Sequence, residues 1–181
     1  MRRGRATSRG PRSPMNGTPN GFSLPAGPGT RKLRALWISA FHLGLTRDRS
    51  DDALVAWLCR QTSRGDAAVA TSAGLESAVP VLEAWLTRAA GVDWRPHLSL
   101  GRNGRARETR RPRARVLEAQ WRLLYRKGRV RVASLAALGA YAARYAGLGR
   151  AESHLALSDS QADALIRHFG RCIRAANDGR D

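Results

Sequence analysis

Acidic residues are scarce in this chain: 14 Asp and Glu stand against 32 Lys and Arg in 181 residues, a net charge of +18. That imbalance favours a polyanionic partner. Long apolar runs are missing as well. The longest, from Leu36 to Leu45, is interrupted by Ser39, His42 and Gly44 and falls far short of the roughly 20 residues that span a bilayer, so no membrane partner is expected. The Arg-rich start is followed by Gly, Pro, Ser and Asn where a signal peptide needs an apolar stretch, and a cytoplasmic location is expected. Of the two cysteines, Cys59 and Cys172, each falls in a helical-looking segment and reads as a reduced core thiol; a disulfide forms only if the fold joins them. Lysine is nearly absent too, at Lys32 and Lys127 alone. Bidentate phosphate contacts favour arginine, but a GC-rich genome produces the same bias and takes most of the credit.

Chemistry-bearing motifs are equally sparse. His42, His97, His154 and His168 show no metal-ligand spacing, and there is neither a His-Glu-x-x-His nor a paired Cys-x-x-Cys motif. No Gly-x-Ser-x-Gly elbow singles out a nucleophile. The glycines around Gly27 to Gly29 and Gly101 to Gly104 lack a P-loop lysine and read as linkers. Asp51 and Asp52 follow Ser50 at a helix start, where carboxylates favour the positive end of the dipole. The expectation is a non-enzyme with no catalytic residue, metal or cofactor.

What the chain does have is strongly placed charge. Residues 1–32 carry seven basic and no acidic residues, residues 33–94 six and seven, residues 95–132 thirteen and two, and residues 133–181 six and five. The excess lies in a tail and a central stretch. The composition of residues 1–30, with only Phe22 and Leu24 as sizeable apolar anchors, cannot repay the entropy of ordering and predicts a disordered basic tail.

From Arg31 helical periodicity begins. Leu33, Leu36, Trp37, Ala40 and Phe41 form one face of a helix over about 31–43, ended by Gly44. Leu54, Trp57 and Leu58 mark a second, from the Ser50 cap to about Thr62, and Val81, Leu82, Trp85 and Leu86 a third that stops near Gly91. Pro80 either starts that third helix, at about Ser77 to Val79, or kinks it. Residues 95–112 read as a basic linker.

The second half restates the first at a constant offset of 84 positions. Leu33, Ala35 and Trp37 match Leu117, Ala119 and Trp121; Gly44 and Arg47 match Gly128 and Arg131; Ala53, Leu54, Ala56 and Arg60 match Ala137, Leu138, Ala140 and Arg144. Trp57 corresponds to Tyr141, Val81 and Leu82 to Leu165 and Ile166, and Trp85 to Phe169. Helices are therefore expected near 113–127, 135–146 and 159–176, the second capped by Ser134 and the third by Ser158 with Gln161 in capping-box position. The fold class is all-α: two related three-helix units, 31–94 and 113–177, joined by the basic linker and preceded by the tail.

The candidate nucleic-acid contacts are Arg102, Arg105, Arg107, Arg110, Arg111, Arg113, Arg115, Arg122, Arg126, Lys127, Arg129 and Arg131, since each phosphate contact releases counterions without reading sequence. A solvated linker is the plainer alternative for this run. Trp121 and Tyr125 lie among these charges where they could stack on bases, but they match Trp37 and Phe41 and read first as core.

The stretch Ala-Leu-Trp-Ile-Ser-Ala-Phe-His-Leu-Gly-Leu from Ala35, the run Arg-Asp-Arg-Ser-Asp-Asp-Ala-Leu-Val-Ala-Trp-Leu-Cys-Arg-Gln-Thr from Arg47, and Leu-Glu-Ala-Trp-Leu from Leu82 ahead of Gly91-Val-Asp-Trp resemble the GemA-like regulatory proteins of Mu-type phages and prophages. The likeness covers about residues 32–94, and the second unit only through its echo of the first; Pro80 and the long basic tail depart from it. It implies early modulation of host gene expression, affecting gyrase genes and DNA supercoiling, and brings no catalytic residues. DNA is the expected partner, with a host or phage protein bound through exposed helix faces as the alternative.

Overall fold

A computed structural model describes residues 24–62, 71–94, 98–100, 106–108, 112–148 and 153–179. The tail expected over residues 1–30 lies outside the described residues up to position 23. Positions 24–30 belong to the folded body: Leu24 and Thr30 are buried, and the Thr30 hydroxyl donates to the Pro25 carbonyl at 2.7 Å.

Helix α1 (Pro28–His42) starts at a proline, whose fixed φ and missing N–H suit the first helical position. Helix α2 (Asp51–Thr62) is capped by the Ser50 hydroxyl, which accepts from the Ala53 N–H at 3.2 Å. Arg34 bridges α1 to α2 by hydrogen bonds to both carboxylate oxygens of Asp51. Helix α3 (Ser72–Ala90) is longer than its sequence suggests, opening at a Thr71 cap and running through Pro80. Proline can donate no hydrogen bond to the preceding turn; the ring lies on the exposed side of α3, where water can serve the orphaned carbonyl. Within the stretch read as a linker, β1 (Leu98–Leu100) and β2 (Ala106–Glu108) form a short antiparallel hairpin, Ser99 opposite Arg107. Helices α4 (Pro112–Arg126), α5 (Leu135–Tyr145) and α6 (Asp159–Asn177) follow, with a 3-10 turn at His154–Ala156 ahead of α6. The architecture is all-α, with six helices among the described residues.

The repeat is visible in three dimensions. Both ends of α4 lie 84 positions beyond those of α1, and α5 begins 84 beyond α2. The turn after α1 closes by Gly44 N–H to Phe41 carbonyl (3.0 Å) and Leu45 N–H to Ala40 carbonyl (3.0 Å); after α4 the same bonds run from Gly128 to Tyr125 (2.9 Å) and from Arg129 to Leu124 (2.8 Å). Both glycines take the left-handed conformation, φ +68° and +70°, which a side chain resists. The Ser134 hydroxyl accepts from Ala137 N–H at 3.2 Å, as Ser50 does from Ala53. Ser158 and Gln161 complete the expected capping box. In unit one, Trp37, Trp57 and Trp85 meet with ring centroids 5.0–6.4 Å apart; in unit two, Trp121, Tyr141 and Phe169 do so at 5.3–5.7 Å. These separations suit tilted aromatic packing.

The units share one continuous apolar core. In each, the first helix packs along the third. Across the units the contacts are reciprocal: α1 touches α6, α4 touches α3, and α1 and α4 touch each other, the pattern of an isologous interface within one chain. Polar groups of unit two complete helix ends of unit one. Gln120 Nε2 donates to the His42 carbonyl (2.8 Å), Arg174 Nη1 to Phe41 (3.1 Å) and Asn177 Nδ2 to Gly44 (3.2 Å). The last carbonyls of a helix have no partner within it, and cations near them are favoured by the dipole.

Candidate functional site

The arginines that sequence reasoning grouped as one surface have separate fates. Arg102, Arg105, Arg110 and Arg111 lie outside the described residues, and Arg107 is a residue of β2. Arg113, in the first turn of α4, reaches the N-terminal turns of α6: its Nε donates to Asp163 Oδ1 at 2.7 Å and its Nη1 lies 3.3 Å from Asp159. That hydrogen bond holds the Asp163 carboxyl below its ordinary pKa and raises that of Arg113.

Arg115 is 6% exposed, with Nη1 donating to the Trp94 carbonyl at 2.7 Å. Burial pushes its pKa down, while Glu83, Asp93 and Glu118 push it up. A guanidinium enclosed in this way is a strut between units, so its reading as a phosphate contact is corrected. Arg122 and Arg126 reach the end of α3: Arg122 Nη1 donates to Gly91 (2.8 Å), Arg126 Nη2 to Ala90 (2.8 Å) and Arg126 Nη1 to Ala89 (3.3 Å). They remain exposed, but their donors serve α3 carbonyls first. Of the expected aromatics, Trp121 is buried in the core, whereas Tyr125 is 48% exposed in the last turn of α4.

Lys127, Arg129 and Arg131 are exposed on the turn between α4 and α5. The structure adds cations that sequence reasoning did not select: Arg144 on α5 and Arg167 and Arg171 on α6, all exposed. The signal for the last two was their spacing of four on one helix, which puts them on the same side. Between positions 112 and 148 the one carboxylate is Glu118, whose side chain is buried against His154, Oε1 to Nε2 3.3 Å.

Beside this turn lies an open cavity of about 300 Å³, lined by Leu124, Arg129 and Val130, by Tyr141 of α5, and by His168, Phe169, Cys172 and Ala175 of α6. Tyr141 Oη and His168 Nε2 are 3.1 Å apart, and Cys172 Sγ lies 3.9 Å from the same nitrogen. Burial lowers the His168 pKa, aided by the charge of Arg171, and raises that of Tyr141. The imidazole is thereby held neutral at neutral pH and available for hydrogen bonding.

Comparison with known proteins places one part of the chain. No curated protein and no solved structure matches it. The family model described as Bacteriophage Mu, GemA protein matches residues 1–88, a span that takes in α1, α2 and nearly all of α3 and ends before unit two. The N-terminal segment and nearly all of the first helical unit are thus similar to the GemA family.

Proposed function

We propose that the chain is a phage-derived, non-catalytic regulator of host gene expression that acts by contacting duplex DNA through the cationic surface of unit two. The observation that carries this reading is what remains once the structural arginines are set aside. Lys127 and Arg131 project from one turn, with Arg144, Arg167 and Arg171 exposed on the helices that follow. Phosphate contacts of this kind set affinity and register without base readout. The GemA likeness of unit one supports the regulatory part of the proposal.

The test is fluorescence anisotropy of a labelled duplex across a salt series. Each phosphate neutralised adds about 0.9 to the steepness of the log–log salt dependence, so Lys127→Ala with Arg131→Ala should flatten the slope by about 2. Absence of binding at low salt would refute DNA contact. A second reading, an adaptor for a host or phage protein, is favoured by exposed Tyr125, Val132, Leu135 and Tyr145, each more than 40% accessible on the same unit. Nuclease-resistant, stoichiometric capture of one protein, lost on changing Tyr125 and Val132 to Ser, would select it.

A further inference from the structure

Because the two units share one backbone plan, the positions at which they differ carry information. Trp57 and Trp85, with ring centroids 5.0 Å apart in unit one, give way in unit two to Tyr141 and Phe169, 5.3 Å apart. Each exchange leaves one ring where unit one has two, and both smaller side chains line the open cavity beside the turn. Volume is added on other walls, where Ala40 is matched by Leu124 and Ala84 by His168. A cavity of about 300 Å³ persists in spite of those gains.

Its lining suits a small flat ring with one polar edge. Leu124, Val130, Phe169 and Ala175 give carbon walls, and apolar cavities of about half this volume hold a benzene ring. The polar part is compact: Tyr141 Oη lies 3.1 Å from His168 Nε2, and Cys172 Sγ 3.9 Å from the same nitrogen. A phenol oxygen has one hydrogen to donate and two lone pairs that accept. Whichever of Oη and Nε2 donates in their mutual bond, Oη keeps a lone pair that this bond does not use, ready for the N–H or O–H of a ligand. Arg129 also lines the cavity, but it is engaged within the protein and is given no part in holding a ligand. No carboxylate lines the cavity among the described residues, so a cationic ligand finds no counter-ion there. Carbon walls penalise a charge of either sign, which leaves neutral chemistry.

We propose that this cavity binds a small neutral aromatic compound bearing one N–H or O–H donor, of the indole or phenol class, with its ring against Tyr141, Phe169 and Leu124 and its donor on Tyr141 Oη. The volume falls at the small end of ligand sites, with the usual mixture of apolar walls and few polar groups. These walls and this acceptor are distinct from the cations invoked for duplex binding, so failure of either reading leaves the other standing.

The experiment is titration of the isotope-labelled full chain with indole and with benzofuran, which has nearly the same shape but no N–H, followed by backbone amide chemical shifts. Indole should bind one to one with a Kd of about 1 mM or tighter. It should bind about threefold to tenfold more tightly than benzofuran, the scale of one neutral hydrogen bond. Tyr141→Phe keeps the ring and removes Oη, and should bring indole down to the affinity of benzofuran. Ala175→Leu extends a half-buried wall residue toward the cavity, and Phe169→Trp restores the residue found at Trp85. A folded variant of either kind should weaken both compounds at least about tenfold, as overpacking of a filled site does; two filling variants keep the test decisive if one misfolds. No saturable indole binding in the millimolar range, equal affinity for indole and benzofuran in the parent, a preference for indole that survives Tyr141→Phe, or indole binding that the folded filling variants leave unchanged overturns the proposal.

Discussion

Replacing Gln120 probes the joint between the units more sharply than any other single change. Its side chain is fully buried, and its Nε2 donates to two carbonyls, His42 at the end of α1 (2.8 Å) and Ile166 within α6 (2.9 Å). Unit one has Leu36 at the equivalent position, so Gln120→Leu preserves volume and the apolar surroundings. Two hydrogen bonds at about 1 kcal/mol net each are lost. Part of this is recovered, because the buried Gln120 Oε1 has no hydrogen-bond partner among the described residues and leucine removes that cost. The balance is a loss of about 1–2 kcal/mol, or roughly 3–6 °C in Tm for a chain of this size. Gln120→Ala should cost more, about 2–4 kcal/mol, because a cavity is added to the lost bonds. Urea unfolding followed by circular dichroism measures both. A leucine variant as stable as the parent, or more so, would refute the claim that this amide joins the units.

Other consequences are comparably direct. Gly44→Ala and Gly128→Ala both place a side chain at positive φ, but a Cβ at Gly44 would approach Ile173 Cγ2 to 2.9 Å and Asn177 Nδ2 to 3.0 Å, while at Gly128 it meets nothing within 4 Å. Thermal melts should therefore show about 1 kcal/mol lost at Gly128 and a larger loss at Gly44. The pKa values of His42 and His168 are both lowered in the folded chain, first by burial and then by neighbouring arginines. The unfolded chain then binds more protons, so stability is full above the ordinary histidine value of about 6.5 and falls as pH drops through it toward the lowered folded values. Chemical denaturation between pH 7.5 and pH 5 should show this decline, and His168→Gln should make it shallower; a rise in stability over that interval would contradict the assignment.

The helices were legible because apolar spacing and caps are local signals. Ser50, Ser134 and Ser158 mark starts and Gly44 and Gly128 mark ends, and each acts within a few residues of itself. The repeat was legible for the same reason, since Trp37 and Trp121 and their partners keep register without gaps. Of the two readings of Pro80, the start at about Ser77 to Val79 fails and the helix that continues through the proline holds; Pro80 outweighs the weaker cues of Thr71 and Leu75, although the former caps the helix and the latter is buried. The roles of the arginines were not legible. Nothing around Arg122 or Arg126 reveals that carbonyls of residues 89–91 lie within reach, because that proximity exists only once the units pack. The cavity joins Tyr141 to His168 across 27 positions; its trace in the sequence is the loss of ring size from Trp57 to Tyr141 and from Trp85 to Phe169.

The central claim is a division of labour among the cations of unit two, and paired measurements on two double variants test it. Arg122→Ala with Arg126→Ala removes donors to the end of α3 and should lower stability by about 1–2 kcal/mol, while duplex affinity of the folded protein stays within about threefold of the parent. Lys127→Ala with Arg131→Ala should leave the melting temperature within about 2 °C and weaken duplex binding about tenfold or more at low salt. The reverse pattern, with affinity lost in the first variant and stability lost in the second, would contradict the account.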